Sequence, residues 1–354
     1  MIRVYPRTSL DVSYFTNDPA LELDGLRAGP AGRWLRGDGP MGSDEVARVF
    51  ASTSRARTVG YDIVMAAPRP TSILLAVDPS SAQAIVAAHQ AATREAMAYL
   101  EDRALVVRDR RFGGDYEDAA SWSRIAAFTH GVNRHGEPHL HDHVLVGAQP
   151  QGHTGVLERR ALSAHLLAAD ALYGAHLRQA VARDTPWQPW RSFYGTDHVL
   201  GLDEGYRALW GGHFDDRPAK EQWTRSEITQ RWSMDLTRFE EVAMVPAPRR
   251  DRMTLDEHRF AGSLEGLTRV ARSDLVAAWA NAAPWGVAAS DVDRAVTLQY
   301  PELNDTRGSR EETISVSRAR QLSVVRDRGE RSLDGRWEEE RHRSLSRPSL
   351  ERSR

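Results

Sequence analysis

Five of the chain's 13 histidines fall within residues 128–146, "FTHGVNRHGEPHLHDHVLV". Imidazoles at that density suit metal chemistry, because one ring nitrogen can bind an ion while the other is held by a hydrogen bond. The sequence contains no cysteine. Thiolate zinc sites, iron–sulfur clusters, disulfides and cysteine nucleophiles are therefore excluded together, and a metal must be held by His and carboxylates. One carboxylate stands in an unusual place: Asp62 lies in "GYDIVMAA", where an unpartnered charge among Ile, Val and Met would be costly. Asp62 needs a partner.

Positioning the histidines requires a hairpin. Ile125 to His130 and His139 to Val146 both read as strands, and "NRHGEP" between them supplies the Gly and Pro of a tight connection. Residues equidistant from the turn face each other, which sets His130 opposite His141, with Cβ atoms roughly 4.5–5.5 Å apart. His139, His141 and His143 share one face of the second strand. His130, His141 and one strand neighbour can then converge on an ion; geometry alone leaves the third ligand open.

The rest of the chain bounds the setting. Its 354 residues, 41% hydrophobic and 27% charged, suit one large or two small globular domains. No apolar run reaches the ~18 residues of a membrane helix, and "MIRVYPRTSL" lacks a signal-peptide core, so no membrane segment and a cytoplasmic location are expected. Lys220 is the single lysine, and "RPAKEQ" around it is no Walker A loop. The net charge of −2 argues against coating DNA by charge alone, though not against a local basic groove.

Periodicity places a short helix from Ser9 over "SLDVSYFT", a Gly-rich loop over 25–42 and a buried strand over "VGYDIVMAA". An amphipathic helix follows, with Ser80 or Ser81 near its start, and then a strand at "LVVRDRRFGG" before the hairpin. A helix over "SAHLLAADALYGAHLRQAVARD" and a helix pair over "SDLVAAWANAAPWGVAASDVDRAV" complete the pattern. From residue 301 the chain reads as a charged tail, with 13 Arg against 10 acidic residues after 304.

A Tyr near the N-terminus, an Asp on a buried strand in "GYDIVMAAPRPTSI", and a His followed after ten residues by His-x-His resemble the relaxase domain of conjugative transfer proteins of the TrwC/TraI (MobF) type. "ALVVRDRRFGG", "AAFTHGVNR" and "SDLVAAWANAAPWG" are also similar to family sequence, and the resemblance covers roughly residues 1–300. It implies an α/β (α+β) fold with a central antiparallel sheet flanked by helices and a three-histidine metal site, with a core to about 245 and a helical end over 246–300. The resemblance also makes His130, His141 and His143 the ligands, and His139 a bystander.

Tyr14 would be the nucleophile, whose phenol can attack phosphorus and store the bond energy as a 5′-phosphotyrosyl ester. Asp62 would orient a metal-bound His or accept the Tyr14 proton. Arg69, Ser72 and Arg134 would contact DNA phosphates. The ion would be Mg, Mn or Zn; three neutral imidazoles suit Mn, Co, Ni or Zn better than Mg.

The implied function is nicking of single-stranded transfer-origin DNA, with a helicase or coupling protein acting in trans because no helicase half is present. The chain departs from the family in its tyrosines: Phe15 follows Tyr14, and Glu22 stands where a second tyrosine would be. Alternation turns Tyr61 away from the face of Asp62. A non-nicking DNA-binding protein and an unrelated three-histidine metal hydrolase are the other readings the residues allow.

Overall fold

The computed structural model describes residues 1–8, 33–34, 58–109, 116–122, 125–150, 153, 155–210, 224–237, 256–304 and 312–320. Tyr14, and the helix expected from Ser9, lie outside the described residues.

The chain opens with strands β1 (Ile2–Arg7), β2 (Arg33–Trp34) and β3 (Gly60–Ala66). Helix α1 (Arg69–Val77) carries Pro70 in its first turn, where a missing N–H costs nothing. A 3-10 turn at Pro79–Ser81 leads into helix α2 (Ala82–Ala104). Strands β4 (Val106–Asp109) and β5 (Tyr116–Ala119) pair with each other, and β6 (Ile125–Val132) and β7 (Pro138–Gly147) form the histidine hairpin. Helix α3 (Arg159–Asp184) precedes a second small hairpin, β8 (Gln188–Arg191) and β9 (Asp197–Leu200). Then come α4 (Glu204–Leu209), α5 (Arg225–Leu236), α6 (Glu257–Ser263), β10 (Arg269–Ala271), α7 (Arg272–Asn281), α8 (Ala289–Gln299) and β11 (Thr313–Ser315).

Five strands form the main sheet in the order β1-β3-β7-β6-β2, every pair antiparallel. The histidine strand β7 is therefore central, between β3 and β6. Its side chains alternate. Leu140, Val144 and Val146, all 0% exposed, join the core with α2 and α3, while the histidines point to the other face. Each such burial contributes about 1.5–3 kcal/mol, which anchors the strand by its back.

Helix α2 buries Ile85, Ala88, His89, Ala92 and Ala96, and α3 buries Ala161, Ala168, Ala169 and Leu172, at the three-to-four spacing of a helical stripe. Alanine on both stripes lets the two axes approach closely. His89 bonds Tyr173 and Tyr99 bonds His165, so the helices run antiparallel. Ser81 is the N-cap residue of α2, as expected, though its side chain makes no capping bond there; Asp78 caps the 3-10 turn that leads in. Its carboxylate accepts from the Ser81 backbone, the Ser80 and Ser81 hydroxyls and the Trp187 indole.

Three features depart from the expected pattern. Arg33–Trp34, in a stretch that reads as loop, adds a two-residue edge strand to β6. Strand β1 pairs with β3 over its whole length, with Tyr5 opposite Asp62. The folded region also runs past residue 300. Strand β11 pairs with β10, Ala319 is fully buried, and the Tyr300 hydroxyl donates to the Ala319 carbonyl at 3.0 Å. Ile314 and Ala319 are too few to register in composition, yet an existing helix pair needs little more to hold a short strand.

The α7–α8 pair docks on α3 at Gly286, which has φ of 98° and where a Cβ would lie 2.4 Å from the Gln179 nitrogen. No single helix among the described residues is long and apolar enough to cross a membrane, and the one combined candidate, α1 with residues 79–104, is bent by 110°.

Removing residues 312–354 strips β11 and Ala319 from the helix pair and should lower the thermal midpoint by roughly 5 °C or more. Removing 321–354 takes none of these contacts and should leave it within about 2 °C, which differential scanning calorimetry would resolve.

Candidate metal centre

The site is built on β6 and β7. Their register sets Phe128 opposite His143, Thr129 opposite Asp142 and His130 opposite His141, as the midpoint of the turn implies. The connection is held at every point. Gly136 takes φ of 71°, and the Asn133 side-chain oxygen accepts from the backbone N–H groups of His135 and Glu137 at 2.9 and 3.0 Å. Glu137, 5% exposed, accepts from Asn133 Nδ2 at 2.7 Å and from Arg69 at 3.3 Å. From α5, the Trp232 indole donates to the Gly136 carbonyl at 2.8 Å.

This clamp engages two of the residues expected to touch DNA. Arg69 also donates to the Pro138 carbonyl at 3.2 Å, so its guanidinium ties α1 to the hairpin. Ser72 is 0% exposed, its hydroxyl accepting from Leu140 N at 3.1 Å and donating to the Pro68 carbonyl. A side chain so enclosed cannot reach a phosphate; Ser72 fixes β7 to α1 instead. Arg134 sits in the hairpin turn, half-buried. Glu137 and Trp232 are the residues that sequence reasoning passed over. The one hint was a Glu beside the turn proline.

His130, His141 and His143 come together. Their ring centroids form a nearly equilateral triangle of 5.2, 5.1 and 5.2 Å, and one ligand nitrogen from each lies within 4.8 Å of the others. The Nδ1 of His141 lies 2.8 Å from the His139 carbonyl, and the Nδ1 of His143 lies 2.9 and 3.0 Å from the two oxygens of Asp62. Both rings thus keep Nε2 for an ion. Asp62, 6% exposed, has found the partner its surroundings demand. A carboxylate behind a ligating imidazole fixes its tautomer and raises its basicity.

Burial, then the neighbouring rings of His139, His130 and His143, pushes the His141 imidazole well below its ordinary pKa, which keeps it in the neutral, ligating form. His139 lies tilted against His141 at 4.7 Å and is pushed down to about 4, first by burial and then by Arg69, but it lies outside the convergent group. Three convergent imidazoles, those of His141 and His143 with their outer nitrogens committed, form a donor set that fits a divalent transition ion. Tyr61 is on the opposite face, 6% exposed, and burial raises its pKa.

A three-histidine cluster that could hold a metal ion thus sits on the middle strands of an antiparallel sheet, with a carboxylate behind one of its imidazoles. Residues 19–188 match the family model described as TrwC relaxase.

Among solved structures, the fold is similar to the conjugative relaxase TrwC in complex with oriT DNA in its copper-bound form, at TM-score 0.56 and 17% identity over 67% of this chain and 98% of that one. TrwC in complex with mutant oriT DNA superposes at TM-score 0.54 and 17% identity over 70% of this chain and 100% of that one. TrwC with a 27-mer DNA comprising the recognition hairpin and cleavage site gives 0.53 at 16% identity, over 67% and 98%. No curated relative matches the chain.

Changing His141 to Ala should abolish tight Mn(II) or Co(II) binding in a competition titration, and Asp62→Asn should weaken it about 10–100-fold by removing the support of His143. His139→Ala should leave affinity within about twofold, and equal loss from both histidine changes would place the ligands differently.

Proposed function

We propose that the chain nicks one strand of a transfer-origin DNA by transesterification at this centre, with His130, His141 and His143 holding the ion. The observation that carries the reading is the contact of both Asp62 oxygens with His143 Nδ1 beside the convergent histidines, on a fold shared with relaxases solved on oriT DNA.

When bound, a divalent cation supplies Lewis-acid polarisation of the scissile phosphate. The protein's own groups do the rest. Tyr14 Oη gives up its proton to solvent and attacks phosphorus, the P–O3′ bond breaks, and the 3′-oxygen leaves as a hydroxyl after taking a proton from solvent. The DNA 5′ phosphate remains esterified to the phenol, and attack by a 3′ hydroxyl reverses the step. Asp62 acts by orienting His143, since both its oxygens face that ring.

Support for strand binding comes from Arg134 in the turn and from Phe193 and Tyr194 between β8 and β9. These two rings are 62% and 92% exposed and packed edge to face at 5.7 Å, a form suited to stacking on unpaired bases. A helicase or coupling protein would supply strand separation in trans.

Incubating the chain with oriT-like single strands and Mn(II) should give an adduct that survives denaturation, and Tyr14→Phe should not form it. Binding without any adduct would identify a non-nicking DNA-binding protein, and an adduct in the Tyr14 variant would move the nucleophile.

Phe15 and Glu22 cannot attack phosphorus, and Tyr61 is enclosed in the core. A purified Tyr14–DNA adduct should therefore leave an added second strand intact until fresh wild-type protein is supplied. Cleavage by the adduct alone, at a normal rate, would reveal another active tyrosine in the same chain.

A further inference from the structure

Alternation along β7 turns His141 and His143 to the metal face and sends Asp142, between them, into the core. Asp142 is 0% exposed. A carboxylate there is expensive, and an apolar residue of similar volume would cost less. Facing it from α2 is His89, also 0% exposed, with Nε2 3.3 Å from Asp142 Oδ1. The contact joins two side chains that are both fully enclosed, one on the helix and one on the strand. The other ring nitrogen of His89 is 2.6 Å from the hydroxyl of Tyr173 on α3, and the two rings meet edge to face at 88°.

The next residue of α2 completes the grip. Gln90 donates to Thr129 Oγ1 at 3.1 Å, and Thr129 is the cross-strand partner of Asp142. Consecutive side chains of one helix thus hold both strands of the hairpin from behind. They do so at the residue pair flanked by His130–His141 on one side and Phe128–His143 on the other.

We propose that His89, braced by Tyr173, is a positioning residue for the metal centre: through Asp142 it fixes the seat and twist of β7, so that His141 and His143 converge with His130. Gln90 does the same for β6 through Thr129. A displacement of β7 by a fraction of an ångström would spread the three ligand nitrogens, whereas the fold as a whole would survive it. Retaining a buried charge makes sense where register and angle matter more than packing energy. The inference rests on the three-histidine site and not on strand cleavage.

The same two helices contain an internal control. Tyr99 on α2 lies 3.0 Å from His165 Nδ1 on α3, a second buried Tyr–His link about 15 Å further along α2 and away from the ligands. The experiment titrates the full chain with Mn(II) alone, by electron paramagnetic resonance, and records the Co(II) visible spectrum.

His89→Leu should weaken Mn(II) binding about 10-fold or more and alter the Co(II) bands. Tyr173→Phe should cause a smaller loss in the same direction, and His89→Gln, which can still donate toward Asp142, should restore part of the affinity. Tyr99→Phe and His165→Leu should lower the thermal midpoint while leaving Mn(II) affinity unchanged. If His89→Leu does not fold, Tyr173→Phe and His89→Gln decide.

The proposal is overturned if folded His89 and Tyr173 variants bind Mn(II) like wild type, or if the Tyr99 variant weakens binding equally. Failure of the wild-type chain to bind either ion would overturn it together with the metal site. A wild type that binds Mn(II) but cuts no DNA would sink the relaxase reading and leave this one standing.

Discussion

The pairing of β6 with β7 is the constraint on which the rest depends. A strand has a side-chain period of two, so a slip of one residue would carry His141 and His143 into the core and bring Leu140, Asp142 and Val144 out to the metal face. The structure spends most of its local polar contacts on preventing that. Asn133 and Gly136 fix the turn, Arg69 and Glu137 clamp it to α1, and Trp232 holds it from α5. Ser72 ties the strand just beyond the turn, at Leu140. These contacts come from segments far apart in sequence, and each closes on the same hairpin.

The alternation that makes a slip so damaging also lets one strand do two jobs. The back of β7 is core, and its burial against α2 and α3 stabilises the sheet. The front carries imidazoles beside Phe128 and Leu145, themselves 5% and 0% exposed. His130 and His143 are buried among such neighbours, and His141 is partly so. Desolvation disfavours the charged imidazolium, as the depressed pKa of His141 shows, and a neutral ring is what an ion requires. The buried carboxylate of Asp62 is placed where a ligand ring can absorb its cost.

Much of this was legible in the sequence because it is local. The hairpin over 125–146, the register of His130 against His141, the buried strand around Asp62 and the long helices rest on period and turn chemistry, and the structure has them within a few residues. The missed elements include β1 and α5 and, at the short extreme, two small strands. Strand β2 has two residues and β11 has three, and such pieces exist only because a sheet edge or a partner strand is already in place. Composition assigned Ile314 and Ala319 to a charged tail, since two apolar residues in a polar stretch carry no periodic signal. Ser72, fully buried, and Arg69, partly so, have structural roles that the sequence did not show for a related reason. A serine and an arginine after a strand look like phosphate contacts until the turn of a distant hairpin is seen to occupy them.

By itself the sequence determined which residues could ligate an ion, that cysteine chemistry was excluded, and that His130 must oppose His141, because strand alternation and turn position follow from the order of residues alone. It also required that Asp62 have a partner, because a lone carboxylate in an apolar strand is unfavourable in any fold. Which partner was a tertiary matter. Asp62 faces Leu145 in the β3–β7 register, two residues along from His143, and that offset lets its oxygens meet Nδ1. The choice of His143 over His139 as third ligand, and the packing of His89 and Tyr173 behind Asp142, were likewise settled only when β3, α2 and α3 closed around β7, since contacts across 81 or 84 residues of chain leave no trace in local pattern.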